Sequence, residues 1–319
     1  MNSIKENQIR QHTCKSWDDF ISKVRNEQPT IKRGSYHIPS KSVIYRGHAN
    51  KDWTLCSILD RVLMKEANTT EQKKVTHPRL NGRTELFHTY CDRILTNFRY
   101  ASHGMQNTYP NMPEDELWAL GRHYGLLTPL LDWSESPYVA AFFALLEENK
   151  QWQVGSSNTK RSSSEYIRIW GLRSWENSWK DLEKKDEFEF VLITPLGMTR
   201  QRAQRGLFTK LLSDGYVDIE NYLKSRELAH CLETYDIPVK YSSEAITDLN
   251  LMNLTHATLF PDIQGAAAQA NMDNRLLEQE IFHRNVLEPE VRKQIKKLKK
   301  GLLKKQNTNN ESVGIQKKK

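Results

Sequence analysis

The chain has 319 residues, of which 38% are hydrophobic and 27% charged, with a formal charge of +8. That is enough for one large domain or two small ones around a sizeable core, while the longest apolar run, Tyr138 to Leu146, falls far short of the ~20 residues that span a bilayer. Cys14, Cys56, Cys91 and Cys231 are far apart and form no C-x-x-C pair, which argues against a zinc site or a disulfide framework and predicts a reducing, cytoplasmic setting.

The N-terminus Met1-Asn2-Ser3-Ile4-Lys5-Glu6 lacks an apolar stretch, which predicts no signal peptide. Ser16 caps a predicted helix over 16–27, whose Trp17, Phe20, Ile21 and Val24 share one face. Ser42-Val43-Ile44-Tyr45-Arg46-Gly47 reads as a buried strand ending in Arg and Gly, and Ser57-Ile58-Leu59 leads into a short helix. The polar segment 66–84 reads as a loop, and Leu86, Phe87, Tyr90, Ile94 and Phe98 then recur at helical spacing. After a loop over 107–113, a helix from Glu114 delivers His123. A His-Tyr-Gly turn feeds a short apolar strand that breaks at Asp132-Trp133-Ser134. Ser136 as N-cap and Pro137 at the first helical position then open an apolar, enclosed helix.

The Ser-rich stretch 149–165 reads as a surface insertion. Strand patterns follow at 166–170, 188–194, 206–211 and 237–241, where Pro238 suggests a strand start or an edge. Helical patterns lie at 218–234, 243–253 and 265–282. Strands and helices mix without strict alternation, so the predicted class is α+β. From Val291 onward, eleven Lys and Arg face Glu311 alone. The excess positive charge therefore belongs to a basic amphipathic helix and tail, and nucleic-acid electrostatics, an acidic partner and solubility all fit it.

No P-loop, G-x-G-x-x-G, H-E-x-x-H or G-x-S-x-G motif is present. Arg46, beside Gly47 at a strand end, is suited either to clamping a phosphate or to a structural ion pair. His123 is either a structural histidine or part of a site. Asp132 and Ser134 either cap the strand-to-helix turn or bind a ligand there, and Trp133 either packs or stacks.

Tyr45-Arg46-Gly47, the stretch from His123-Tyr124-Gly125 to Asp132-Trp133-Ser134, Gln204-Arg205-Gly206-Leu207-Phe208 and Leu259-Phe260-Pro261-Asp262 with Gly265 resemble the FRG domain family over about residues 40–270. Pro129 stands where that family usually has Arg. The layout also resembles, more distantly, the mono-ADP-ribosyltransferases, which hold the phosphates of NAD with an Arg at the end of their first core strand. In that resemblance Gly206 stands where the catalytic Glu would be, and Gln204 or Asp132 takes its place.

These resemblances imply a split mixed or antiparallel sheet flanked by helices, with a basic C-terminal helix and tail. The expected organisation is an N-terminal helical segment (1–39), an FRG/ADP-ribosyltransferase-like domain (40–285) and the basic end (286–319). The implied activity is transfer of ADP-ribose from NAD by a bacterial toxin of a toxin–antitoxin or phage-defence system. RNA is the favoured acceptor, an antitoxin protein a possible partner, and no metal or membrane is involved. Arg46, His123, Tyr124 and Gln204 are the implied catalytic residues; Tyr45, Arg46, Gly47, Asp132, Trp133 and Ser134 would bind NAD. A non-catalytic nucleotide- or nucleic-acid-binding module and a metal-dependent nuclease using His123 and Asp132 are the competing readings.

Overall fold

The computed structural model describes residues 7–27, 43–69, 86–105, 108–150, 164–173, 187–191, 193, 199–214 and 216–282, with a few single positions beyond. The expected C-terminal helix and tail and most of the Ser-rich insertion lie outside them. The chain divides into two compact units, Met1–Leu259 and Phe260–Lys319.

The first unit is built on a seven-stranded mixed sheet flanked by helices. Its strands are β1 (Arg10–Thr13), β2 (Val43–His48), β3 (Leu130–Ser134), β4 (Tyr166–Arg173), β5 (Phe188–Val191), β6 (Gly206–Leu211) and β7 (Leu232–Pro238), in the order β1-β7-β4-β2-β3-β6-β5. Among the described residues only β1 and β7 run parallel, and the other neighbours are antiparallel. The ladder between β2 and β4 extends over six residue pairs, from Val43↔Arg173 to His48↔Arg168. By contrast, β2 and β3 share one pair, Tyr45↔Ser134. Beyond it the two strands part, dividing the sheet into halves of four and three strands.

Side chains alternate across a strand, and both faces of this sheet are covered. Ile44, Leu131, Trp133, Trp170 and Leu172 pack on one side with Tyr222 and Leu223 of α7 (Ile219–Ser225). Leu130 and Phe208 pack on the other with Phe87 of α3 (Phe87–Ala101) and Trp118 of α4 (Glu114–His123). Burying each of these large side chains is worth about 1.5–3 kcal/mol. The remaining helices of this unit are α1 (Trp17–Glu27), α2 (Ile58–Thr69), α5 (Pro137–Lys150), α6 (Thr199–Ala203), α8 (Ser242–Leu251) and α9 (His256–Leu259).

Local signals account for the helix starts. Ser16 Oγ accepts from the Asp19 amide (3.1 Å) at α1, and Ser136 Oγ accepts from the Val139 amide (3.3 Å) at α5, with Pro137 in the first turn. Each satisfies one of the orphan donors that open a helix.

Three expectations need correction. The helix expected over 218–234 stops at Ser225: Glu227 adopts φ 60°, and the chain re-emerges as β7. Here Leu232-Glu-Thr-Tyr-Asp-Ile pairs with β1 on one side and β4 on the other. Pro238 therefore ends an interior strand and does not begin an edge. The segment before residue 40 also contributes more than a helix, because β1 completes the sheet through β7. In the second unit, Asp262 Oδ1 accepts from the Gly265 amide (2.9 Å) at the start of α10 (Ile263–Phe282).

Candidate functional site

Where β2 and β3 part, three elements bring charged side chains together. β2 supplies Arg46, β3 supplies Asp132, and the last turn of α4 supplies Arg122. A cation there is favoured by the negative end of the helix dipole. Tyr124 follows as the C-cap, and Gly125 takes φ +92°, a left-handed conformation that glycine adopts without strain. That turn sends the chain back toward β3.

Arg46 is fixed at several points. Its Nη1 donates to the Asp132 backbone carbonyl (2.8 Å), supplying a donor where the β2–β3 ladder has stopped, and lies 3.6 Å from Asp132 Oδ2. Its Nε donates to His48 Nε2 (3.2 Å). His48 Nδ1 lies 3.3 Å from the Trp53 carbonyl and 3.2 Å from Trp170 Nε1. With its proton on Nδ1, toward the Trp53 carbonyl, His48 accepts from Arg46 at Nε2; in that tautomer Nδ1 cannot also accept from Trp170 Nε1. Burial, then the charge of Arg46, depresses the His48 pKa well below its ordinary value, so the ring stays neutral and can accept.

Arg122 grips the same carboxylate: Nη2 lies 2.5 Å from Oδ2 and Nε 3.3 Å from Oδ1. One carboxylate oxygen is thus shared by two guanidiniums. Burial works against ionising Asp132, but Arg122 and then Arg46 outweigh it and hold the carboxyl below its usual pKa. Burial brings Arg46 down to about 10 against the pull of Asp132, with Arg61 and Arg122 adding to the fall; it remains a cation at neutral pH. For Arg122 burial again opposes the charge, and Asp132 reverses the balance, so its pKa is raised. The site stays open to solvent: the Asp132 side chain is 41% exposed, Arg122 22% and Arg46 14%. Among the described residues, no partner is found for Arg46 Nη2 or Arg122 Nη1.

His123 and Tyr124 follow Arg122 directly, exposed at the surface with their rings edge to face 4.9 Å apart. Ser134 and Gln204 meet at the far end of β3. Ser134 Oγ donates to the Gln204 carbonyl (2.8 Å) and accepts from the Ser136 amide (3.1 Å), so its role there is to fix the turn. The Gln204 side-chain amide donates to the Leu259 carbonyl (3.0 Å). Asp132 and Ser134 lie on one strand face about 7 Å apart, so the Arg pair and Gln204 occupy successive positions along β3.

Other expected ligand contacts are not available. Trp133 is 3% exposed, within the core, and its indole N–H is used by Thr209 Oγ1 (2.9 Å). It points away from Asp132 because neighbours on a strand face opposite sides, so it cannot stack on a ligand beside that carboxylate. Tyr45 is 1% exposed. Gly47 lies beneath α5, where an added Cβ would stand 1.9 Å from the Ala140 carbonyl oxygen; helix packing, rather than a bound phosphate, accounts for the glycine. Asp132 cannot serve as a loose ribose-orienting carboxylate while two arginines hold it. Among the described residues, no group of three His, Cys, Asp or Glu side chains could hold a metal ion, and no helix is long and apolar enough to cross a membrane.

Arg122 and His48 were not anticipated from the sequence. Arg122 stands one residue before the noted His-Tyr pair, but its partner emerges only when the turn at Gly125 folds α4 against β3. His48 follows Tyr45-Arg46-Gly47 directly, and alternation alone places it on the same strand face as Arg46.

No curated protein and no solved structure matches the chain. The family model of the FRG domain matches residues 41–153. That span takes in Arg46, His48, Arg122 and Asp132 but not Gln204, so the paired arginines and their shared carboxylate belong to one contiguous module: the chain carries an FRG domain.

Proposed function

We propose that this chain is an NAD-dependent mono-ADP-ribosyltransferase. The observation that carries the reading is the partly exposed pair Arg46 and Arg122, gathered on Asp132 at the point where β2 and β3 separate. A planar guanidinium binds phosphate oxygens bidentately, and the two arginines meet where the β2–β3 ladder stops after one residue pair. In the reaction the bond between nicotinamide and ribose breaks, and the bonding electrons leave with nicotinamide. The ribose C1′ passes through an oxocarbenium-like state, an acceptor nucleophile bonds to C1′, and the acceptor's proton is released. Little nucleophilic help is needed from the protein; fixed geometry and electrostatics supply the acceleration. Arg46 holds the diphosphate, His123 and Tyr124 line the nicotinamide end, and Gln204 offers its amide oxygen to the ribose hydroxyls.

RNA is the proposed acceptor, favoured by the basic C-terminal sequence and by exposed Arg202 and Arg205 beside Gln204. The biological setting that fits such an activity is a growth-blocking cytoplasmic toxin of a toxin–antitoxin or phage-defence system, held in check by an antitoxin.

One observation favours a second reading, a nucleotide-binding module without turnover. Gly206 opens β6 directly opposite Ser134, at the position that would carry the catalytic Glu, and it brings no carboxylate there. Incubating the full chain with NAD labelled in its adenylate, together with RNA, DNA or lysate protein, separates the two. Label transfer to RNA that Arg46→Ala abolishes supports the transferase. NAD binding without transfer to any acceptor supports the module, and neither binding nor transfer overturns both.

A further inference from the structure

We propose that Arg46 and Arg122 form a two-armed diphosphate clamp that Asp132 occupies internally until a ligand enters. This rests on the nucleotide reading above but assigns new roles, ligand capture to Arg122 and self-occupation to Asp132.

Asp132 stands where an anion would. Its Oδ2 is 2.5 Å from Arg122 Nη2 and 3.6 Å from Arg46 Nη1, the arrangement of one oxygen bridging two guanidiniums. A phosphate oxygen makes the same contacts. The carboxylate is partly exposed and the two arginines less so, so the contact for which an incoming anion would compete lies at the solvent boundary. Each arginine also keeps an outer nitrogen without a partner among the described residues, leaving donors for a second phosphoryl group.

The local charge exceeds what one carboxylate balances. Arg61 acts on Arg46 alongside Arg122, with Asp132 and Glu147 opposing. Three cations against two anions leave the site attractive to a compact anion of more than one charge, and a terminal or bridging diphosphate matches two separated guanidiniums better than a single carboxylate does. The arms differ in freedom. Arg46 is tied to His48 and to the Asp132 backbone carbonyl, neither of which a ligand need displace. Among the described residues, both side-chain hydrogen bonds of Arg122 go to the carboxylate itself. Arg122 is therefore the mobile arm, and Asp132 is the group with which a ligand competes.

The test is calorimetric binding of inorganic pyrophosphate to the full chain at low salt, with thermal unfolding as a check that each variant is folded. Asp132→Asn keeps the shape and one acceptor but removes the competing charge, so pyrophosphate should bind about tenfold more tightly. Arg122→Gln, which leaves Arg46 with its carboxylate, should weaken binding by about tenfold or more. ADP-ribose should compete with pyrophosphate, and a short single-stranded RNA should not. Unchanged or weaker binding in a folded Asp132→Asn variant overturns the clamp, as does indifference to Arg122→Gln or displacement by RNA in place of ADP-ribose. The outcomes separate from those of the enzymatic reading: a clamp behaving as described without label transfer sinks only the transferase, and transfer with pyrophosphate binding untouched by both variants sinks only the clamp.

Discussion

Replacing Gly47 with Ala should destabilise the FRG domain without touching a charged group. The added Cβ would stand 1.9 Å from the Ala140 carbonyl oxygen and 2.9 Å from Ala144 Cβ. Ordinary contact is about 3.5 Å, so α5 would have to retreat by roughly 1.5 Å. The obstacle is helix backbone, and Ala140, Ala144 and Val139 are almost wholly buried, so no side-chain rotation relieves it. Overpacking of this kind costs about 3 kcal/mol at the upper end of the usual range. Ala in place of Gly within a strand returns about 0.5–1 kcal/mol. The clash wins, leaving a net loss of about 2 kcal/mol and a fall in Tm of about 4–8 °C for a unit of this size. Urea unfolding followed by the fluorescence of buried Trp133 and Trp170 measures it. Ala144→Gly removes the 2.9 Å contact but leaves the 1.9 Å one, so it should not rescue. A Gly47→Ala protein within about 0.5 kcal/mol of the parent, the range of an ordinary surface change, would refute the close approach of α5 to β2.

Trp133→Phe removes the indole donor to Thr209 and should cost about 1–3 kcal/mol while leaving NAD affinity unchanged; a selective loss of NAD affinity would restore Trp133 to the site. Arg173→Met strands Glu233, which is fully buried and bonded to Arg173 (2.8 Å) and to the Tyr235 hydroxyl (3.1 Å). Unfolding should show a loss of about 3–5 kcal/mol, smaller when Glu233→Gln is added. Glu220, 7% exposed and accepting from the Leu55 amide (2.9 and 3.0 Å), is pushed up to about 7 by burial and then by neighbouring Asp218. The folded state therefore binds this proton more tightly than the unfolded chain: the stabilisation is complete below about pH 4.5 and is lost, by roughly 3 kcal/mol, as pH rises through 7. Buried neutral His48 works in the opposite direction, costing stability as pH falls below its ordinary value. The readout is accordingly the difference between parent and Glu220→Gln in urea titrations at pH 5 and pH 8, with the variant gaining at pH 8; equal differences at both pH values would contradict the assignment.

The parts of the fold that were legible in the sequence carry their own local causes. Ser16, Ser136 and Pro137 announce helix starts because the capping bond is made within three residues. Most of β7 was not legible, since its place depends on β1, more than 200 residues earlier in the chain; the residues up to Thr234 satisfy a helical pattern until that partner is present. Trp133 misled for a related reason. With hydrocarbon covering both faces of the sheet, alternation shows that Asp132 and Trp133 point apart but not which side holds the opening. Arg46 could be singled out by type and strand position, whereas the choice between phosphate clamp and ion pair needed the coordinates of Asp132.

The structure shows the ion pair, and under the proposed clamp the two alternatives are parts of one arrangement. A guanidinium on a long chain is a poor ligand-binding group unless its orientation is fixed, because binding must otherwise freeze its rotamers at a cost of about 0.5–1.5 kcal/mol. Here the fixing is done by groups that a ligand has no need to displace: a neutral imidazole on Nε and a backbone carbonyl on Nη1. The imidazole can accept only while unprotonated, and burial secures that state well below the ordinary histidine range. The ion pair to Asp132, longer at 3.6 Å, adds charge balance without being what aims the arginine. Losing that pair to a ligand therefore leaves Arg46 in place, while losing His48 would leave its charge present and its direction undefined.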